Sequence, residues 1–102
     1  MATTDLAGGR IGETYPLGTR IGESGRLEIG GCDLAELAKQ FGTPAYIYAE
    51  DDLRERARIL RDAVDRHAPG GEVGFSIKPL PCRAVLRLFS SRVNRVSLGE
   101  ER

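Results

Sequence analysis

The sequence predicts an α/β fold in which a short β-hairpin segment precedes the first strands and helices of a parallel sheet. From residue 45 onward, strand-like and helix-like segments follow one another as strand, helix, strand, helix, strand. Crossover connections of this kind favour a parallel sheet with helices outside it. A complete (β/α)₈ barrel takes about 250 residues, whereas the chain has 102. We therefore expect an incomplete, N-terminal part of a barrel.

The first 42 residues are predicted to form two regions ahead of the sheet. Residues 1–18 are rich in Gly, Thr and Pro without a sustained period, which predicts a flexible lead-in. Residues 19–22 and 26–29 alternate polar and apolar side chains around a turn that contains Gly25. This pattern predicts a hairpin. Together with the helix that follows, the hairpin makes up a β-rich entry segment, residues 19–42.

A short helix is predicted after the hairpin. Asp33 is typical of an N-cap, and Glu36 stands where a capping box requires an acid. Gly42 ends the helix, and Pro44 prevents its continuation. Residues 45–49 are short, apolar and aromatic, so they predict a buried strand. We expect the truncated barrel to occupy residues 43–102.

A longer helix is predicted to begin at residue 50. Three acids open it and complement the helix dipole, and Asp52 and Arg56 are spaced as an i,i+4 ion pair. The helix stops at residues 68–71, which contain Pro69. The predicted apolar stripe consists of Leu53, Ala57, Leu60, Ala63 and Val64.

The rest of the chain repeats the pattern. Residues 72–77 predict a strand that ends at Lys78. Pro81 suits a first helical position, and an apolar helix face follows it. Residues 93–98 predict a further strand.

Charge and composition exclude several classes of function. Fifteen basic and 15 acidic side chains give a net charge near zero. The chain therefore lacks the excess of positive charge that favours binding to nucleic acid or to an anionic membrane. No apolar run approaches the roughly 18 residues of a membrane span, and residues 1–5 lack the features of a secretory signal. Cys32 and Cys82 form no metal-type pair and are expected to be free thiols in a reducing cytoplasm.

Lys78 is the candidate catalytic residue. The chain has only two lysines, Lys39 and Lys78, against thirteen arginines. A lysine at the mouth of a buried strand is partly desolvated, which lowers its pKa and favours the neutral amine. A neutral amine attacks a carbonyl to form a Schiff base, as in pyridoxal phosphate enzymes. The alternative from spacing alone is an ordinary exposed lysine after an edge strand.

Several segments, in order and spacing, resemble the diaminopimelate decarboxylase family of fold-type III pyridoxal phosphate enzymes. The opening similarity covers residues 25–31, 33–34, 37–38 and 41–48, which include Gly42-Thr43-Pro44. Val73-Gly74-Phe75-Ser76-Ile77-Lys78, with residues 81–86, resembles the family's cofactor-lysine segment. Pro79-Leu80 departs from the usual Ala-Asn or Ala-Phe.

The tail departs further from the family pattern. Ser97, Gly99 and Glu100 align with the family's Ser, Gly and Glu. The departures are Arg92 at the first Gly, Asn94 at the Asp, Leu98 after the Ser, and Glu101 at the Leu. We expect a truncated gene, a fragment or a frameshifted end.

The resemblance implies a pyridoxal phosphate-binding (β/α)₈ barrel with an additional β-rich domain, in a homodimer with active sites at the subunit interface. It implies that Lys78 forms the Schiff base with pyridoxal 5'-phosphate. The substrate would be a small amino acid, meso-2,6-diaminopimelate, converted in the cytoplasm to L-lysine and carbon dioxide. We expect the chain alone to be inactive. The alternatives are another enzyme of this fold (ornithine or arginine decarboxylase, alanine racemase), a non-catalytic remnant or a small interaction protein.

Other conspicuous residues have structural interpretations. Both cysteines are expected to be buried apolar fillers, and His67 to satisfy a helix C-terminus. Tyr46 and Tyr48 are expected to pack in the barrel. A solvated surface is expected for four arginines, Arg83, Arg87, Arg92 and Arg95.

Overall fold

The computed structural model describes residues 5–6, 9–10 and 14–97. The chain divides into two compact units, the first ending at Asp52 and the second beginning at Leu53. Two short strands, β1 (Asp5–Leu6) and β2 (Gly9–Arg10), pair antiparallel where the sequence predicted no regular structure. The predicted boundaries after residues 18 and 42 stay predictions.

The first unit contains a three-stranded antiparallel sheet. Strand β3 (Arg20–Ile21) pairs with β4 (Leu27–Ile29), which confirms the predicted hairpin. Its turn is closed by a 2.8 Å bond from Gly22 N–H to the Arg26 carbonyl. A third strand, β5 (Cys32–Asp33), pairs with β4 and was not predicted.

Helix α1 (Leu34–Phe41) follows β5 directly and confirms the predicted helix. The Asp33 carboxylate accepts bonds from the N–H groups of Ala35 at 2.7 Å and Glu36 at 3.2 Å. The Glu36 side chain instead pairs with Lys39 at 3.1 Å, within the helix. Gly42 ends the helix with φ of 83°, and its N–H donates to the Ala38 carbonyl.

The buried strand predicted at residues 45–49 is wrong for the part of the chain that the structure describes. This stretch forms no ladder, and only Ala49 is buried. Tyr46 is 91% exposed and Tyr48 is also exposed, so the predicted barrel packing of both rings is wrong as well. Composition favoured a strand, but within residues 14–97 no neighbouring strand pairs with this stretch to complete its backbone hydrogen bonds.

Helix α2 (Glu50–His67) confirms the predicted long helix. Its first turn carries the three acids, and Asp52, only 7% exposed, accepts a 2.8 Å bond from Leu17 N–H. Leu60 is exposed, which corrects its predicted place in the buried stripe. The Asp52–Arg56 ion pair stays a prediction, and His67 lies in the last turn as expected.

The second unit has a parallel crossover. Strand β6 (Gly74–Ser76) is followed by helix α3 (Arg83–Ser90) and strand β7 (Arg95–Ser97), which pairs parallel with β6. The Phe75 and Phe89 rings lie 4.5 Å apart between their centroids. The buried core consists of Ala57, Val85, Leu88 and Phe89, with Leu53, Phe75, Leu80, Cys82 and Val93 packed against it.

This arrangement confirms an α/β chain, because a parallel strand pair joined through a helix is the unit of that class. Within the described residues the parallel sheet has only two strands. The extension to a pyridoxal phosphate-binding (β/α)₈ barrel therefore remains a prediction.

Candidate active site

Lys78 lies in the turn that follows β6. Ser76 is the last residue of β6 and is paired in register with Ser97, the last residue of β7. The lysine thus stands two residues beyond the carboxyl edge of the parallel pair. In α/β proteins, that edge is where the connecting loops carry ligand-binding and catalytic groups.

The turn is fixed on both sides of the lysine. The N–H of Leu80 donates a 3.0 Å bond to the carbonyl of Ile77, closing the turn around Lys78 and Pro79. Ile77 and Leu80 are half-buried, and Leu80 packs against the core of the unit. The proline also restricts the backbone of the residue before it. The backbone under the lysine is consequently held, while its side chain extends outward.

The lysine side chain itself is exposed. Among the described residues it makes no hydrogen bond or ion pair, whereas Lys39 lies 3.1 Å from the Glu36 carboxylate. The prediction of a partly desolvated amine is therefore wrong for the described residues, since the two strands and one crossover helix do not cover the turn. The amine is accessible to solvent.

Asn94 aligns the two strands that lead to this edge. Its side-chain oxygen accepts a 2.9 Å bond from the Val73 N–H. The backbone N–H of Asn94 donates a 2.8 Å bond to the Val73 carbonyl. Val73 is buried, so both of its backbone groups need partners. Sequence comparison with the family pattern noted Asn94 only as a departure from Asp. The strand predicted at residues 93–98 included Asn94, so no sequence pattern indicated this contact.

The two cysteines differ from each other. Cys82 is half-buried at the N-cap of α3, makes no side-chain cap bond and packs against the core, which confirms its role as an apolar filler. Cys32 is exposed, so the expectation that it is a buried filler is wrong. Strand β5 is an edge strand of a three-stranded sheet, which leaves this side chain in solvent. Both thiols are free, as predicted.

The expected solvated arginines are largely confirmed. Arg83, Arg87 and Arg95 are exposed. Arg92 is half-buried and donates to the Leu88 carbonyl at 3.2 Å and to Ser91 Oγ at 2.8 Å, so it completes the end of α3. None of these contacts involves an acidic partner.

The tail residues of the family pattern lie partly beyond the described structure. Ser97 closes β7 level with Ser76, so the predicted last strand is present. The aligned Gly99 and Glu100, together with Leu98 and Glu101, lie outside the described residues.

Pyridoxal phosphate would need a primary amine that its aldehyde can reach. The exposed Lys78, on a turn anchored at the carboxyl edge, fits that requirement. No grouping of three or more His, Cys, Asp or Glu residues suited to a metal ion occurs in the described ranges. Nor does any helix there have the length and apolar character needed to cross a membrane.

The chain is similar in sequence to several curated diaminopimelate decarboxylases. It is 48% identical over 73 residues to that of Actinosynnema pretiosum subsp. auranticum, covering 72% of this chain and 16% of the relative. It is 40% identical over 74 residues to that of Synechocystis sp., covering 72% and 16% respectively. For Bacillus methanolicus the identity is 39% over 70 residues, covering 69% and 16%.

The match is thus extensive in this chain but spans only about one sixth of each of these relatives. No family model matches the chain. No solved structure matches it either.

Proposed function

The matched segment belongs to the diaminopimelate decarboxylase family, and from this premise we propose that the chain supplies the cofactor-lysine portion of such an enzyme. The proposed reaction converts meso-2,6-diaminopimelate to L-lysine and carbon dioxide. The single observation that carries the proposal is the 48% identity over 73 residues to a protein of that name. The alternatives considered from sequence have no finding that favours them.

In this proposal Lys78 is the residue that bonds covalently to pyridoxal phosphate. When bound, the cofactor supplies a conjugated ring that accepts the electrons left on the substrate as carbon dioxide departs. The described part of the chain contributes by positioning Lys78. The turn bond between Leu80 and Ile77 and the packing of Leu80 hold the backbone from which the lysine extends.

The remaining parts of the proposal concern the whole enzyme. A closed (β/α)₈ barrel, a homodimer and a cytoplasmic location are supported by the family resemblance. Since the chain spans about one sixth of its relatives, we expect it to release no carbon dioxide from diaminopimelate by itself. Steady release from purified chain supplied with pyridoxal phosphate would contradict this expectation.

Reductive trapping tests the lysine directly. The Lys78 amine and the cofactor aldehyde would condense with loss of water, and borohydride would reduce the resulting C=N bond to a stable secondary amine. Peptide mass mapping should then locate the pyridoxyl group on Lys78. Lys39→Ala is the matched control because Lys39 is the other lysine and is already paired with Glu36.

We expect labelling to survive Lys39→Ala and to fall to background in Lys78→Ala. Equal labelling of both lysines, or labelling of the N-terminal amine alone, would show that Lys78 is not a selective attachment point.

A further inference from the structure

The charge of the chain is unevenly distributed, although its sum is near zero. Residues 1–72 contain 13 acidic and nine basic side chains. Residues 73–97, which include β6, α3 and β7, contain no acidic side chain and five basic ones: Lys78, Arg83, Arg87, Arg92 and Arg95. The candidate lysine therefore lies in a segment whose charged side chains are all cationic.

Two of these arginines face solvent together on α3. Arg83 and Arg87 are exposed and stand four positions apart, so their Cβ atoms are about 5–6 Å from each other. The helix buries Val85, Leu88 and Phe89, which leaves the two arginines on the opposite face. Like charges at this spacing destabilise a helix. A bound anion would offset their repulsion.

The two guanidinium groups are not neutralised by described residues. Within residues 14–97, neither side chain makes a hydrogen bond or an ion pair. On α2, by contrast, Arg58 pairs with Glu55 and Asp62. The planar fork of a guanidinium matches the oxygens of a phosphate group. Arg83 and Arg87 thus hold donors that an anionic ligand can use.

The two arginines follow closely on the Lys78 turn. Arg83 lies five residues after Lys78, which is at most about 17 Å of extended chain. The bond from Leu80 N–H to the Ile77 carbonyl and a 2.8 Å bond from Cys82 N–H to the Leu80 carbonyl fold this connection. Charges act over about 30 Å at 0.01 M ionic strength and about 10 Å at 0.1 M. The arginines therefore contribute to the electrostatic potential at the lysine when salt is low.

We propose that Arg83 and Arg87 form a capture surface, which draws the phosphate group of pyridoxal phosphate towards the Lys78 turn before attachment. This inference rests on the proposed function, in which Lys78 is the attachment point. A phosphate monoester carries about −1.5 to −2 charges at pH 7. The capture surface favours the encounter with a phosphate-bearing aldehyde over an aldehyde that lacks this charge. Both arginines are positioning residues, since the covalent bond forms at Lys78.

The test compares two aldehydes on the full chain. Pyridoxal phosphate and pyridoxal share a ring and an aldehyde, but pyridoxal has a hydroxyl group in place of the phosphate. With either one, the lysine amine condenses with loss of water, and borohydride supplies the hydride that reduces the C=N bond. The readout is the ratio of labelled Lys78 to labelled Lys39, from peptide mass mapping. Because both lysines meet the same reagent, this ratio cancels the intrinsic reactivity of each aldehyde.

The expected result is a preference for the phosphate at Lys78 that depends on salt. The labelling ratio should be about fivefold higher with pyridoxal phosphate than with pyridoxal at about 0.01 M ionic strength, and the difference should vanish at about 1 M. Lys39 is a suitable internal reference because it lies 3.1 Å from the Glu36 carboxylate, on a helix in the other unit.

Charge-removing variants assign the preference to the capture surface. The double variant Arg83→Gln/Arg87→Gln should lose most of it. Arg95→Gln is the matched control, because it removes an exposed arginine from the same acid-free segment. Arg95 pairs with Gly74 at the first position of β6, whereas Lys78 lies beyond the last. This control should change the preference by less than about twofold, and circular dichroism should show unchanged helix content in all variants.

Three results would overturn the capture surface: equal ratios with the two aldehydes, a preference that salt does not weaken, or equal losses in the double variant and in Arg95→Gln. Pyridoxine 5'-phosphate, which has no aldehyde, separates this inference from the proposed function. NMR shifts of the Arg83 and Arg87 Nε–H signals on its addition, together with unlabelled Lys78 in trapping, would retain the capture surface and remove the role of the lysine. Labelling of Lys78 without a phosphate preference would do the reverse.

Discussion

Two helices of equal length, α1 and α3, are held by opposite means. Helix α1 has an acceptor at its N-cap, a glycine at its C-cap and no buried residue. Helix α3 has no side-chain cap bond, ends at Ser91 in ordinary helical conformation, and buries Val85, Leu88 and Phe89. The signals that start and stop a helix are therefore independent of the contacts that bury it.

This difference predicts unequal responses to matched substitutions. Changes to apolar side chains should act on α3, where the face is already packed against Phe75 and Ala57. Changes to caps should act on α1, where caps supply the local stabilisation. Hydrogen exchange of the amides in each helix reports the two effects separately in one sample.

The largest expected effect is that of Phe89→Ala. Removing this buried ring and its contact with Phe75 should destabilise the second unit by about 3 kcal/mol. Phe41→Ala is the matched control, because the same atoms are removed from a ring that is exposed. It should change stability by less than about 0.5 kcal/mol. Equal shifts in the denaturant midpoint of the two variants would contradict this expectation.

A smaller effect is expected from Gly42→Ala. Gly42 has φ of 83°, a left-handed conformation that costs an L-residue about 1 kcal/mol or more, although open space surrounds the added Cβ. Ser91→Ala at the end of α3 should be nearly neutral, because φ of −95° suits any residue. The measurement is amide exchange in the last turn of each helix. The prediction would be contradicted if Ser91→Ala speeded exchange in α3, relative to the unsubstituted chain, by more than Gly42→Ala speeded it in α1.

The next effect concerns the cap of α1. Asp33→Ala removes the acceptor of two backbone bonds and should lower the melting midpoint of α1 by about 5 °C. Asp33→Asn keeps a side-chain oxygen in place and should retain most of the stability. A full loss in the Asn variant would indicate that the ion pair with Arg26, at 2.7 Å, matters more than the cap bonds.

The same carboxylate predicts how α1 responds to acid. Desolvation opposes the shift, but the Glu36 and Ala35 N–H groups and the Arg26 guanidinium hold the pKa of Asp33 below its usual value of 3.8. Stabilisation by the cap should be complete above pH 3.8 and lost as the pH falls through the lower, folded-state pKa. A carboxyl-carbon titration by NMR checks this. A midpoint at or above 3.8 would contradict it.

Local patterns predicted the features that depend on neighbours in sequence. The hairpin, the cap at Asp33, the end of α1 at Gly42 and the long helix from Glu50 all follow from side chains within a few positions. The parallel strands were also predictable, because the apolar segments around α3 have the lengths of a crossover unit. The resemblance around Lys78 supplied the candidate site.

The features that depend on distant partners were missed or predicted wrongly. Residues 45–49 have strand composition, but a ladder also needs a neighbouring strand. Asp52 is buried and accepts a bond from the backbone N–H of Leu17, which is 35 positions away. The exposure of Lys78 likewise reflects which elements surround its turn, and no local pattern encodes that surrounding.

Parallel strands have no tight turn to set how far one slides along the other. Here Asn94 does so across 21 positions, because its side-chain oxygen accepts a bond from the Val73 N–H and its backbone N–H donates to the Val73 carbonyl. A slip of one position would reverse the sides on which alternate residues of β7 project. The placement of Ser97 beside the end of β6 is therefore decided at the opposite end of β7, by the contact between Asn94 and Val73.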